Sequence, residues 1–213
     1  MNVILNEISI ALQEGQAKEV KALIEKAFAE NISADDILKF GLLAGMDVIA
    51  VKFKNNEVFV PEVLISARAM HMGSALLKPH LAKGNAQAIG KAVLGTVKGD
   101  LHDIGKNLVR MMLEGKGIEV IDLGVDVPPE KFVEVCKTER PQIVALSALL
   151  TTTMGEMKTT IDALRCSGIK GLTTMIGGAP VTEGFAKSIG ANLYAADAAT
   201  AAEAAKQAIL AKS

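Results

Sequence analysis

Residues 91–107 read KAVLGTVKGDLHDIGKN, and this stretch decides the fold. Lys91 to Val97 is a short, largely apolar run of strand length, and a loop holding Gly99, Asp100, His102, Asp103 and Gly105 follows it. A run apolar on both faces suits a strand buried inside a parallel sheet. The rhythm repeats downstream, where Glu119–Leu123, Ile143–Ser147, Leu172–Ile176 and Asn192–Ala195 alternate with amphipathic helical patterns. Strand and helix alternating at this interval predict a five-stranded parallel sheet covered on both faces, a flavodoxin-like (Rossmann-like) α/β domain over 90–213. Ligands of such sheets bind beyond the carboxyl ends of the strands, so a site belongs on the loops after Val97, Leu123, Ser147, Ile176 and Ala195.

Upstream the periodicity is helical. Val3, Ile4, Ile8 and Leu12 approximate one stripe and Val20, Leu23, Ile24 and Ala27 another, with Gly15 and Asn31 as breaks. Ser33 with Asp36 three positions on predicts a capping box, opening a third helix through Ile37, Phe40, Leu42, Ala44, Val48, Ile49 and Val51. After the polar break at 54–57, Pro61 falls in the first turn of a fourth helix expected to end near Pro79. Short joints between four helices predict an antiparallel bundle over 1–83. Residues 84–89, inside the polar stretch from Leu81 to Ile89, read as a linker and hinge.

The 213 residues are 50% hydrophobic and 22% charged, with a net charge of -1. That leaves no basic field for nucleic acid or for an anionic membrane, and neither half is a charged arm. No stretch approaches the roughly 20 apolar residues of a membrane span. Residues 1–13 carry Glu7 and no basic start, so no signal peptide is expected and the cytoplasm is the expected location. Cys136 and Cys166 sit in helical patterns without CxxC spacing and read as small core residues in a reducing compartment.

Three loops carry candidate chemistry. His102 has Asp100 two positions before it and Asp103 one after. A carboxylate on one imidazole nitrogen fixes the tautomer and raises the basicity of the other, which makes His102 a candidate metal ligand or general base. A structural loop histidine is the other reading. One His cannot hold zinc, and His71 and His80 lie in the helical half without a carboxylate cluster. After the third strand, the hydroxyls of Ser147, Thr151, Thr152 and Thr153 can bond a ligand or cap a helix starting near Met154. Ser147 lacks a GxSxG elbow and is no nucleophile. Gly177-Gly178 after the fourth strand lets a bulky group approach the backbone, or is a tight turn.

DxHxxG at Asp100, His102 and Gly105, SxL at Ser147 and Leu149, and GG at Gly177 and Gly178 resemble, in order and strand position, the signature of cobalamin-binding domains. The helical half, with Phe53, Phe59-Val60-Pro61-Glu62 and Ser66-Ala67-Arg68, is similar to the helical cap of cobalamin-dependent methionine synthase. In size and layout the chain looks more like the free-standing corrinoid proteins of microbial methyltransferase systems, which act on methanol, methylamines, betaines or aryl methyl ethers. The resemblance covers nearly the whole chain. It implies cobalamin or a related corrinoid bound base-off/His-on: the lower benzimidazole leaves cobalt, its nucleotide tail enters the sheet domain, and His102 becomes the metal ligand. Asp100 would accept the other ring N–H and Ser147 would bond Asp100, a chain able to pass a proton as cobalt changes oxidation state. His102, Asp100 and Ser147 are the catalytic set so implied. Leu101, Asp103, Ile104 and Gly105 complete the first loop of the site. Gly105, Gly177 and Gly178 would clear a channel for the tail, with Leu149 on its wall, Thr151 near the base, and Tyr194 and Ala195 closing the pocket. Phe53 and Val60 would face the methyl group as a dry lid, the family usually having Leu at the position of Val60, and ordinary bundle core is their other reading.

Methionine synthase carries substrate, folate and reactivation modules that this chain does not contain. The resemblance therefore implies a methyl carrier served by other polypeptides: a donor:corrinoid methyltransferase, a second methyltransferase acting on tetrahydrofolate or a thiol such as coenzyme M, and a reductive activator. Aryl methyl ethers and methylamines are the leading donors. A cobalamin mutase small subunit shares DxHxxG but needs an adenosyl cofactor and a substrate barrel. A cobalamin-responsive sensor should carry a basic helix-turn-helix, against which the near-neutral first half argues. A flavodoxin-like domain binding FMN or accepting phosphate would need an acidic cluster that the first loop supplies only weakly.

Overall fold

The computed structural model of the chain describes residues 3–81 and 88–212. It divides into two compact units, Met1–Gln87 and Ala88–Ser213. Of the linker expected at 84–89, residues 84–87 lie outside the described residues.

In the first unit, α1 (Val3–Gln13) and α2 (Ala17–Ala29) are followed by α3 (Ala34–Asp36), which runs through a π-helical stretch, Ile37–Leu43, into α4 (Ala44–Lys54). The third helix expected from the sequence is thus one helical run with a widened middle. Ser33 opens it as the pattern predicts, its Oγ accepting from the Asp36 N–H at 3.1 Å and donating to Asp36 Oδ2 at 2.8 Å. The last helix, α5 (Val60–Leu81), is also capped from within: Glu62 Oε2 reaches back to the Phe59 N–H at 3.0 Å, and Pro61 occupies a first-turn position that has no N–H partner to lose. It passes Pro79 because a proline so near the end removes only a last-turn bond. Ile8, Leu12, Ile24, Ile37, Leu42, Met46, Met70 and Leu77 form the core. Met72, Phe40, Val48 and Val51 are exposed, so the apolar pattern of this half is wider than the face it buries.

The second unit alternates strand and helix: β1 (Gly90–Thr96), α6 (Ile104–Gly115), β2 (Ile118–Asp122), α7 (Pro129–Glu139), β3 (Ile143–Ser147), α8 (Met154–Cys166), β4 (Thr173–Gly177), α9 (Glu183–Ile189), β5 (Leu193–Ala195) and α10 (Ala198–Leu210). All strand pairs are parallel, in the order β2-β1-β3-β4-β5. Chain direction across the sheet reverses between β1 and β3, and the crevice at that switch point is where a doubly wound sheet takes its ligand. Thr96, Ser147, Gly177 and Ala195 stand in register as the last rung of four strands. Beneath them Val93, Val144, Leu146 and Ile176 pack with Phe132 of α7 and Ile161 of α8.

Cys136 is buried and free, and burial pushes its thiol up to about 12. Cys166 is free but exposed, contrary to its reading as core: the buried stripe of α8 is Met157, Thr160, Ile161 and Leu164, and the last residue of the helix points away from it. Among the described residues no helix is long and apolar enough to cross a membrane.

Gly95 lets α7 close on β1, since a Cβ there would stand 2.7 Å from Phe132 Cζ. Gly95→Ala is expected to cost about 1–3 kcal/mol through overpacking. Combined with Phe132→Leu the two costs should sum to less than their separate values, by about 0.5 kcal/mol or more. Urea unfolding of the two single variants and the double variant checks this, and strictly additive costs would contradict the contact.

Candidate functional site

The loops after β1 and β3 meet at the switch point around one carboxylate. Asp100 has no solvent exposure, yet five donors face it. Oδ2 accepts from the N–H groups of Leu149 at 2.8 Å and Leu150 at 3.2 Å and lies 2.8 Å from Thr153 Oγ1. Oδ1 accepts from the His102 N–H at 3.1 Å and bonds His102 Nδ1 at 3.0 Å. Burial pushes this carboxyl up, but the N–H groups of Leu149 and His102, the Thr153 hydroxyl and the Leu150 N–H outweigh burial and hold it well below the usual carboxylate range. Asp100 is therefore an ionised acceptor.

That settles the histidine tautomer. A carboxylate can only accept, so in the neutral imidazole Nδ1 carries the proton and the lone pair is left on Nε2. The His102 side chain is 51% exposed, and no group of the described residues bonds Nε2. The ring is oriented, fixed in tautomer and open on its ligating side, as a metal-binding imidazole requires.

The hydroxyl on Asp100 is that of Thr153, a correction to the expected Ser147–Asp100 bond. Ser147 is the last residue of β3, held in the strand ladder, whereas Leu149, Leu150 and Thr153 lie on the loop that folds over the carboxylate and already fill Oδ2. Thr153 is the N-cap residue of α8 but makes no side-chain cap bond. Its hydroxyl, 2.9 Å from the Leu150 carbonyl and 2.8 Å from Asp100, serves the carboxylate as the stronger acceptor.

Around His102 the surface is apolar. Leu101 and Ile104 are 72% and 77% exposed, and Leu149 and Leu150 are each 41% exposed. Asp103 opens α6 without capping it, its carboxylate instead accepting from Asn107 Nδ2 at 3.0 Å. A Cβ on Gly105 would meet nothing within 4 Å, so the protein's own packing does not require glycine there. Gly177 and Gly178 are different. A Cβ on Gly177 would stand 2.9 Å from the Ala195 carbonyl, and one on Gly178, at φ 140°, would overlap the Ala148 carbonyl. Backbone therefore lines the edge of the site between β3, β4 and β5. Thr151 is exposed on the β3–α8 turn, Tyr194 is half-buried against the core, and Ala195 is buried. Phe53 and Val60 are half-buried in the helical unit, at the end of α4 and the start of α5.

The site has a second layer that the motif does not name. Lys106, 3% exposed, bonds Asp122 Oδ2 at 2.5 Å and ties the first turn of α6 to the end of β2. Burial pushes the Asp122 carboxyl up, but Lys106, the Gly124 N–H and Arg110 outweigh it and keep it low. Thr96 and Asp126 bond the histidine loop itself. Thr153 was visible in the sequence only as one of a run of hydroxyls, and its link to Asp100 spans 53 residues.

A B12-binding domain model matches residues 90–209, and a second B12-binding domain model matches residues 4–78. The chain is 38% identical over 208 residues to dimethylamine corrinoid protein 3 of Methanosarcina acetivorans, covering 97% of each. It is 41% identical to trimethylamine corrinoid protein 1 of Methanosarcina mazei, covering 91% of this chain and 90% of that protein. Among solved structures, it matches the methanol:cobalamin methyltransferase complex of Methanosarcina barkeri with a TM-score of 0.89 at 31% identity, over 97% of this chain and 80% of that one. It also matches a cobalamin-binding protein of Desulfitobacterium hafniense with a TM-score of 0.79 at 33% identity, over 96% and 98% of the two chains. The sheet-edge histidine site and the helical half thus belong to one known class, and the chain is a member of the B12-binding corrinoid protein family. The site fits such a cofactor on its own terms, with an imidazole Nε2 open to cobalt, an apolar collar and a backbone-lined edge.

The depressed Asp100 carboxyl gives a stability prediction with a fixed sign. Its contribution is full above the unfolded-state value of about 3.9 and is lost as pH falls through the lower folded value. Chemical denaturation between pH 3 and pH 7 should therefore show wild-type stability falling more steeply below about pH 4 than that of Asp100→Asn. At pH 7 the Asn variant should be less stable by about 1–3 kcal/mol, because its NH2 group faces other donors. Parallel pH profiles would contradict the assignment.

Proposed function

We propose that the chain is the corrinoid methyl carrier of a multi-component methyltransferase system, with methylamines as the donor class. The observation that carries this reading is the His102–Asp100 pair, whose Nε2 stands open at the switch point. When bound, the corrinoid would supply a cobalt centre able to take a methyl group from one protein partner and yield it to another.

His102 would hold that cobalt through Nε2, with the corrinoid base-off/His-on. Asp100, kept ionised by its other donors, holds the Nδ1 proton on the ring and keeps Nε2 the ligating atom. With Asp100 held as an acceptor on Nδ1–H, Nε2 is the only ring atom left with a lone pair. Leu101, Ile104, Leu149 and Leu150 would keep water from the cobalt, and the open space at Gly105 and the bare backbone at Gly177 and Gly178 would border the nucleotide tail, with Thr151, Tyr194 and Ala195 near its end. Phe53 and Val60 of the helical unit would supply the apolar shielding of the methyl group. The partners are a donor:corrinoid methyltransferase, a second methyltransferase acting on tetrahydrofolate or a thiol, and a reductive activator, all in the cytoplasm. Support for the donor class comes from the relatives named for dimethylamine and trimethylamine, at 38% and 41% identity.

Reconstitution with hydroxocobalamin tests the reading. The wild type is expected to retain corrinoid through gel filtration, and its spectrum after reduction should change to that of a methylated corrinoid on addition of a methylamine and its methyltransferase. His102→Ala should weaken retention or shift the spectrum of the methylated form. Failure of the wild type to retain corrinoid, or to be methylated by any methylamine methyltransferase, would contradict it.

A further inference from the structure

The loop that carries His102 is fastened by two side chains that take no part in the His102–Asp100 pair. Thr96, fully buried at the end of β1, donates its hydroxyl to the His102 carbonyl at 2.8 Å. Asp126, on the loop between β2 and α7, accepts from the Gly99 N–H at 2.7 Å, while its own N–H donates to the Asp100 carbonyl at 3.0 Å. The Val127 N–H donates to the Thr96 carbonyl at 3.0 Å, and Val97 bridges Val127, so the two loops are bound along their length. Asp126 stands at φ 53°, in the left-handed region that side-chain-bearing residues disfavour, Asn and Asp least. A disfavoured backbone persists where surrounding bonds over-determine it, and here those bonds converge on the histidine loop.

The consequence is a division of labour. Asp100 fixes the tautomer and orientation of the ring, whereas Thr96 and Asp126 fix where its backbone stands. A ligand whose supports are removed binds metal less firmly even when the ligand itself is intact. We propose that Thr96 and Asp126 form a latch that sets how far His102 projects, and so how firmly Nε2 holds cobalt. The proposal rests on His102 being the lower ligand. Thr96 and Asp126 are positioning residues that act through the backbone of His102.

The test uses the full chain labelled with 15N, loaded with natural-abundance cobalamin and reduced to Co(II), with electron paramagnetic resonance as the readout. A 15N ligand from the protein splits each cobalt line into a doublet, and a 14N ligand, from the cofactor base or from added imidazole, into a triplet. Titrating with unlabelled imidazole gives the concentration at which half the doublet is lost. Thr96→Val and Asp126→Gly are each expected to lower that midpoint roughly threefold to tenfold, the worth of about one hydrogen bond. Asp126→Gly removes the carboxylate while favouring the left-handed backbone. Thr96→Ser keeps the hydroxyl and Asp126→Asn keeps an acceptor, so both should stay within about twofold of the wild type. If the buried Thr96→Val variant fails to fold, the exposed Asp126 pair decides alone. A doublet in every variant with unchanged imidazole midpoints would overturn the latch and leave His ligation standing. A wild type without the doublet would overturn His ligation, and the latch with it.

Discussion

A carboxylate with no access to solvent must be surrounded by donors, and much of this site follows from meeting that demand at Asp100. The loop after β3 turns the N–H groups of Leu149 and Leu150 and the hydroxyl of Thr153 onto one oxygen, while the loop after β1 wraps His102 onto the other. With the charge so held, the histidine has no choice of tautomer and offers Nε2 outward. The same bonds tie the two loops on either side of the switch point, so the ligand site and the local integrity of the sheet edge are one structure.

The architecture was readable because its signals are local. Five short apolar runs with helical patterns between them identify a parallel sheet, and the observed strands fall within about a residue or two of those runs. Ser33 and Pro61 marked helix starts for reasons that the backbone bonds bear out. The π-helical stretch at Ile37–Leu43 was not legible, since an apolar pattern does not separate a widened turn from an α-helical one. Nor was the exposure of Phe40, Val48, Val51 and Met72, which depends on which neighbours a helix has rather than on its own stripe.

The site was legible in part. Asp100 and His102 are two residues apart, and their pairing can be argued from spacing. The identity of the hydroxyl partner could not, because Ser147 and Thr153 are both plausible until the path of the β3–α8 loop is known, and that path selects Thr153. Thr96 and Asp126 carry no motif at all. Their roles arise from a strand end and a neighbouring loop that converge only in the folded chain.

The proposed chemistry depends on the carboxylate-oriented imidazole serving as the lower cobalt ligand. A crystal structure of the cobalamin-loaded chain tests it most directly. His102 Nε2 is expected on cobalt, with Nδ1 still on Asp100 and the benzimidazole displaced into the backbone-lined edge between β3, β4 and β5. A benzimidazole that remains on cobalt, or another side chain in the lower axial position, would contradict it.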